Sequence, residues 1–97
     1  MLSAVSEATV ALDGEIDAAT VGEVKQKVTA VIDANPGAKV TIDLGAVTFL
    51  DSTGLGAMVS AMKAARSTGG DIALQNVAPN VRKVFDITGL ADVFEIS

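Results

Sequence analysis

"TFLDSTGLGAM", residues Thr48 to Met58, joins two different patterns. Before it, "KVTIDL" alternates: Val40, Ile42 and Leu44 share one side, Thr41 and Asp43 the other. That period of two is a half-buried strand. After it, Leu55, Met58, Val59 and Met62 recur at helical spacing. A strand therefore turns into a helix here, and an acid with two hydroxyls, Asp51-Ser52-Thr53, sits at the junction. Two readings of Ser52 stay open. As an N-cap, its hydroxyl would accept from the amide of Gly54 or Leu55. As an exposed hydroxyl on a bare first turn, with Gly54 and Gly56 beside it, it is a candidate for modification.

Outward from this junction, the same two periods organise the chain. "TVALDG", Thr9 to Gly14, reads as a strand with Val10 and Leu12 on one side. Met1 to Val5 reads as a short partner strand, with a turn near Ser6 and Glu7. Val21, Val24, Val28, Val31 and Ile32 predict a helix from about Thr20 to Ala34. Thr20 and Glu23 fit a capping box at its start, and Asn35-Pro36-Gly37 stops it. Gly69-Gly70 ends the helix that follows Ser52. "DIALQNV" is a further strand, "PNVRKVFDITGL" a third helix with Pro79 in its first turn, and "DVFEI" a last short strand. The order β-β-α-β-α-β-α-β implies an α/β domain, with parallel pairings through right-handed crossovers. The alternating strands place the helices mainly on one face of the sheet. Residues 1–97 read as one domain, with no linker, repeat or low-complexity segment.

Composition removes several function classes. The chain of 97 residues carries a net charge of −5, so nucleic acid and anionic membranes are not expected as direct partners. It has no cysteine and no histidine, which excludes disulfides, thiolate chemistry and Ser-His or Cys-His catalysis. "MLSAVSEATV" lacks a basic region followed by an apolar run, so no signal peptide is expected. No run approaches the roughly 20 apolar residues of a membrane span. A cytoplasmic, non-enzymatic domain without cofactor is the expectation.

Functional groups of open α/β sheets gather beyond the carboxyl ends of strands. Asp17, Asp43, Asp51 and Ser52 are the candidates there, on the expectation that their loops meet at one end of the sheet. The three acids would suit a hard cation, but caps and turns use aspartate in the same places. An aspartate-phosphorylated receiver, with Asp43 as acceptor and Asp13 or Asp17 holding Mg²⁺, is disfavoured by the short chain and the missing paired acids at its start. Gly54 to Val59 starts like a dinucleotide fingerprint but lacks its third small residue. Ala57, Ser60, Ala61 and Ala64 give the second helix a small-residue surface, read as close packing or as docking.

"GEID" at Gly14 to Asp17, "DLGAVTFLDSTGLGAM" at Asp43 to Met58, and "VFDITGLADVFEI" at Val84 to Ile96 resemble the STAS domain. They are most similar to the bacterial anti-sigma-factor antagonists. The resemblance spans almost the whole chain and implies a small α/β domain with helices on one side of a mixed β-sheet, and partner switching without catalysis. The unphosphorylated antagonist would bind an anti-sigma factor that is also a serine kinase, freeing the sigma factor. Phosphorylation of Ser52 would switch binding off, and a PPM-type serine phosphatase would reset it. Asp17 and Asp51 match the acids beside the modified serine. Thr53, Gly54, Leu55 and Gly56 complete the motif, with Thr53 a secondary hydroxyl. The resemblance also implies a monomer. An accessory module of a lipid-transport ATPase or a stress-sensing assembly is the alternative within the fold.

Overall fold

The computed structural model describes residues 7–97 of the chain. Strand β1 (Glu7–Ile16) is followed by α1 (Val21–Ala34), β2 (Lys39–Leu50) and α2 (Ser52–Ser67). Then come β3 (Asp71–Gln75), α3 (Pro79–Ile87), a 3₁₀ turn at Leu90–Asp92 and β4 (Glu95–Ile96). The partner strand expected at Met1 to Val5 lies outside the described residues. Glu7, expected near a turn, already begins β1.

The described sheet has the order β1-β2-β3-β4, and each neighbouring pair is parallel. In a sheet wound in sequence order, right-handed crossovers put every helix on the same face. The burial agrees. Val10, Leu12, Val40, Ile42, Leu44, Ile72 and Leu74 are buried, while Thr9, Ala11 and Asp13 are not. The helices form one layer, α1 against α2 and α2 against α3. Val24, Val28 and Ile32 bury the inner face of α1; Leu55, Met58 and Met62 do so for α2; Val81 and Phe85 for α3. Phe85 meets Phe94 edge to face, with centroids 5.5 Å apart.

Strand β2 runs further than the alternation of "KVTIDL" foretold. It pairs with β3 only from Lys39 to Asp43. Beyond that point it continues beside β1 alone, to the pair Ile16 and Leu50. The register slips twice on the way, between Ala11 and Asp13 and between Gly14 and Glu15, where β2 carries the additional residues. Such bulges bend a strand and shift the phase of its side chains. Val47 and Leu50 are therefore both buried although three residues apart. The result is a bent two-stranded arm projecting past the four-stranded region. Asn80, in the first turn of α3, donates its side-chain amide to Thr48 O at 2.9 Å and covers part of the arm's open edge.

Candidate functional site

The arm ends where two neighbouring strands hand over to helices. Ile16 and Leu50 are the last register pair, and the Asp51 amide donates to Ile16 O at 3.2 Å. Asp17 and Asp51 thus follow adjacent strand ends, and the backbone bond fixes one turn against the other.

The two acids do the same local job. Asp17 Oδ1 accepts from the amides of Ala19 and Thr20 at 2.9 and 3.2 Å, and the Asp17 carbonyl accepts from Val21 at 2.8 Å. Asp51 Oδ1 accepts from the amides of Thr53 and Gly54 at 2.9 and 3.1 Å. The Asp51 carbonyl accepts from Leu55 at 2.9 Å. Both cap expectations are corrected by these bonds. Thr20 does not close a capping box: it lies in the helical region, its side chain makes no cap bond, and its hydroxyl donates back to Glu15 O at 2.8 Å. A capping residue needs extended backbone to aim its oxygen at the first turn, and Asp51, at φ −101 and ψ −171, has it. Ser52 is instead the first residue of α2, exposed, with its hydroxyl outside the cap.

The remaining residues of the motif divide. Thr53 is exposed. Leu55 is buried in the core. Gly54 is buried, and a Cβ there would stand 2.8 Å from Ile16 Cγ2 and 3.1 Å from Ile16 O. Its bareness faces the strand, where it lets the helix start press on the end of β1. Gly56 alone leaves open space on the outside, since a Cβ added there would meet nothing within 4 Å. The expectation that both glycines bare the first turn to an incoming group therefore holds for Gly56 only.

Asp43 is not part of this site. It lies where β3 ends, opposite Gln75, eight residues before Asp51. At about 3.3 Å per residue this is roughly 25 Å. Its Oδ1 accepts from the Gly45 amide at 2.8 Å and from Asn76 Nδ2 at 3.2 Å, holding the bulge and the end of β3 together. The expectation that all three loops meet failed because β2 outruns β3. Among the described residues no group of three or more acids gathers as metal ligands.

Two surface features were not foreseen from the sequence. Phe49 is 46% exposed, three residues before Ser52, opposite Glu15. The bulges hide this from any alternation count. Ile87, at the end of α3, is 74% exposed. The small-residue surface of α2 meets α1: Ala57 is buried, and Ser60, Ala61 and Ala64 line a shallow cleft with Val24, Lys25 and Val28. Among the described residues no helix is long and apolar enough to cross a membrane.

The STAS domain family matches residues 4–97. The chain belongs to the STAS domain family. The anti-sigma-B factor antagonist of Bacillus subtilis (strain 168) is 38% identical over 84 residues, covering 87% of this chain and 75% of that protein. The unphosphorylated form of the anti-sigma factor antagonist SpoIIAA superposes with a TM-score of 0.77 at 26% identity, over 99% of this chain and 84% of that one. The phosphorylated form of SpoIIAA, a Bacillus cell fate determinant, gives 0.69 at 25% identity, over 99% and 87%. In this STAS domain the segment expected to carry the chemistry lies at the end of the arm, and its serine is exposed, as is Thr53, in a turn capped by Asp51.

Proposed function

We propose that this protein is an anti-sigma-factor antagonist that works by partner switching, with residues 1–97 as one STAS domain. Unphosphorylated, it binds an anti-sigma factor with serine kinase activity and so releases a sigma factor. The kinase transfers the γ-phosphoryl group of ATP to Ser52 Oγ. The bond to ADP breaks, and the serine proton passes to a base of the kinase. A PPM-type phosphatase removes the phosphate by hydrolysis. The protein has no catalysis of its own, acts in the cytoplasm as a monomer, and affects transcription without touching nucleic acid.

One observation carries this reading: Ser52 stands exposed at the tip of the arm, its hydroxyl outside the cap, where the two turns that hold Asp17 and Asp51 are tied together. A phosphate adds about −1.5 to −2 charge. Beside Asp17 and Asp51 it concentrates negative potential on the surface that a partner must cover. Ser52 is exposed at the start of α2, while the buried side chains of that helix begin at Leu55, so the added charge falls on the surface and leaves the core alone. The likeness to SpoIIAA in both phosphorylation states supports the same view of a fold that tolerates the modification.

The test is a pull-down from native lysate with wild type and Ser52→Asp as paired baits, read by mass spectrometry. An ATP-binding serine kinase held by wild type and lost from Ser52→Asp is the expected result. A shared non-kinase partner on both baits would contradict it.

A further inference from the structure

The sequence offers two capping residues in a row, Asp51 and Ser52, and both side chains rank equally well at an N-cap. The fold gives the position to Asp51. Its carboxylate takes the amides of Thr53 and Gly54, and its carbonyl takes that of Leu55. Had Ser52 been the cap, its oxygen would have pointed a lone pair into the helix start. That would turn the hydroxyl toward the helix and occupy one of its two lone pairs, leaving the oxygen less open to an incoming phosphoryl group. We propose that Asp51 is a positioning residue for Ser52: by filling the helix start it keeps the serine hydroxyl turned out and unengaged. This inference rests on Ser52 as the acceptor and adds the device that keeps it available.

Three facts support it. The Asp51 amide is tied to Ile16 O while its carbonyl takes the Leu55 amide, so this residue both closes the strand end and opens the helix, and a cap one residue later would forfeit the Leu55 bond. Gly54 is wedged against Ile16 and Leu50, which fixes where the first turn begins. A carboxylate accepting from amides makes a stronger bond than a hydroxyl does, so Asp51 outcompetes its neighbour. Asp51 therefore acts through another residue and need not touch ATP or the kinase.

The chain has no cysteine, so Ser52→Cys provides a single reporter thiol at the acceptor position. Thiol pKa is read from the pH dependence of its reaction with a disulfide reagent, in three backgrounds: Asp51, Asp51→Asn and Asp51→Gly. Asparagine caps without charge, and glycine leaves the amides unfilled at a small cost in stability. Thermal melts by circular dichroism confirm that each variant is folded. With Asp51 or asparagine the thiol is expected near the ordinary value of about 8.5, slightly higher beside the carboxylate. With glycine the thiolate takes the vacant amides, and the pKa falls by about one or more below the asparagine variant. Equal values for the asparagine and glycine variants would overturn the inference, because charge alone would then account for Asp51. So would a thiol already well below the ordinary range with Asp51 in place. No kinase enters this titration. If mapping of the native protein finds no phosphate on Ser52 while the thiol behaves as expected, the functional reading fails and the positioning role stands.

Discussion

The four-stranded region and the arm share two strands but are built by different rules. From Lys39 to Asp43 the alternation is strict, three neighbouring strands bury one face, and Ile42, Ile72 and Leu74 are fully enclosed. Its lower edge is tied by ion pairs. Lys39 Nζ meets Glu95 at 2.6 Å; Arg66 Nε meets Asp71 Oδ1 at 2.9 Å while its Nη2 donates to Val93 O. Beyond Asp43 the register slips, glycines appear, and Phe49, Ser52 and Gly56 face outward. The first region maximises burial. The second still buries Ile16, Leu44, Val47 and Leu50, but its slipped register also exposes Phe49 and brings two capped turns and an exposed hydroxyl together. On the proposed function, recognition gathers at the far end of β2, whose inner side chains still belong to the core.

Two phenylalanines test that division with the largest expected effect. Phe85→Ala empties a fully buried position and should cost about 3–5 kcal/mol in urea unfolding. Phe49→Ala, on the arm, should cost about 1 kcal/mol or less, since nearly half the ring is already in water. Similar losses at both would erase the contrast. A Phe49→Ala protein that folds normally and binds its partner at least tenfold more weakly would sharpen it.

The glycines of the motif should move in opposite directions. Gly54→Ala drives a methyl into Ile16 and Leu50 and should destabilise by about 1–3 kcal/mol. Gly56→Ala enters open space within a helix and should stabilise by about 0.5–1 kcal/mol. If Gly56→Ala raises the melting temperature yet weakens partner binding, that glycine is kept for docking clearance. If it leaves binding unchanged, the outer face of the first turn lies outside the interface.

The smallest effect belongs to pH at the lower edge. Burial alone would raise the Asp71 carboxyl, but hydrogen bonds from Arg66 and the Ile72 amide outweigh it and hold it below its ordinary 3.8. A lowered folded-state value stabilises above the ordinary carboxylate range, and that stabilisation disappears as pH falls through the lowered value. The pair is nearly half exposed, so its share is within about 1 kcal/mol. Arg66→Ala should shrink the difference in stability between pH 7 and pH 2 by that amount. An unchanged difference would show the pair to be inert.

The regular region was largely legible in the sequence, because period two and period 3.6 report burial directly where strands are straight. The end of β2 was not, because "GAVTFL" absorbs two slips and no longer alternates; Phe49 and the true reach of the strand were lost with it. The placement of Asp43 failed for the same reason. The cap failed differently: Asp51 and Ser52 have equal propensity, and the fold decides between them through the Asp51 backbone bonds to Ile16 and Leu55 and the packing of Gly54 on Ile16. Ser52 itself was recognised through its motif, while its exposure and freedom from the cap belong to the fold.

The most direct test of partner switching is the affinity of the recovered anti-sigma kinase for two forms of this protein, unmodified and carrying phosphoserine at position 52 by genetic encoding. The expected result is at least a tenfold loss of affinity on phosphorylation, with amide NMR shifts confined to the turns at Asp17 and Asp51 to Leu55. Equal affinity for both forms, with the phosphate verified by mass, would contradict the account.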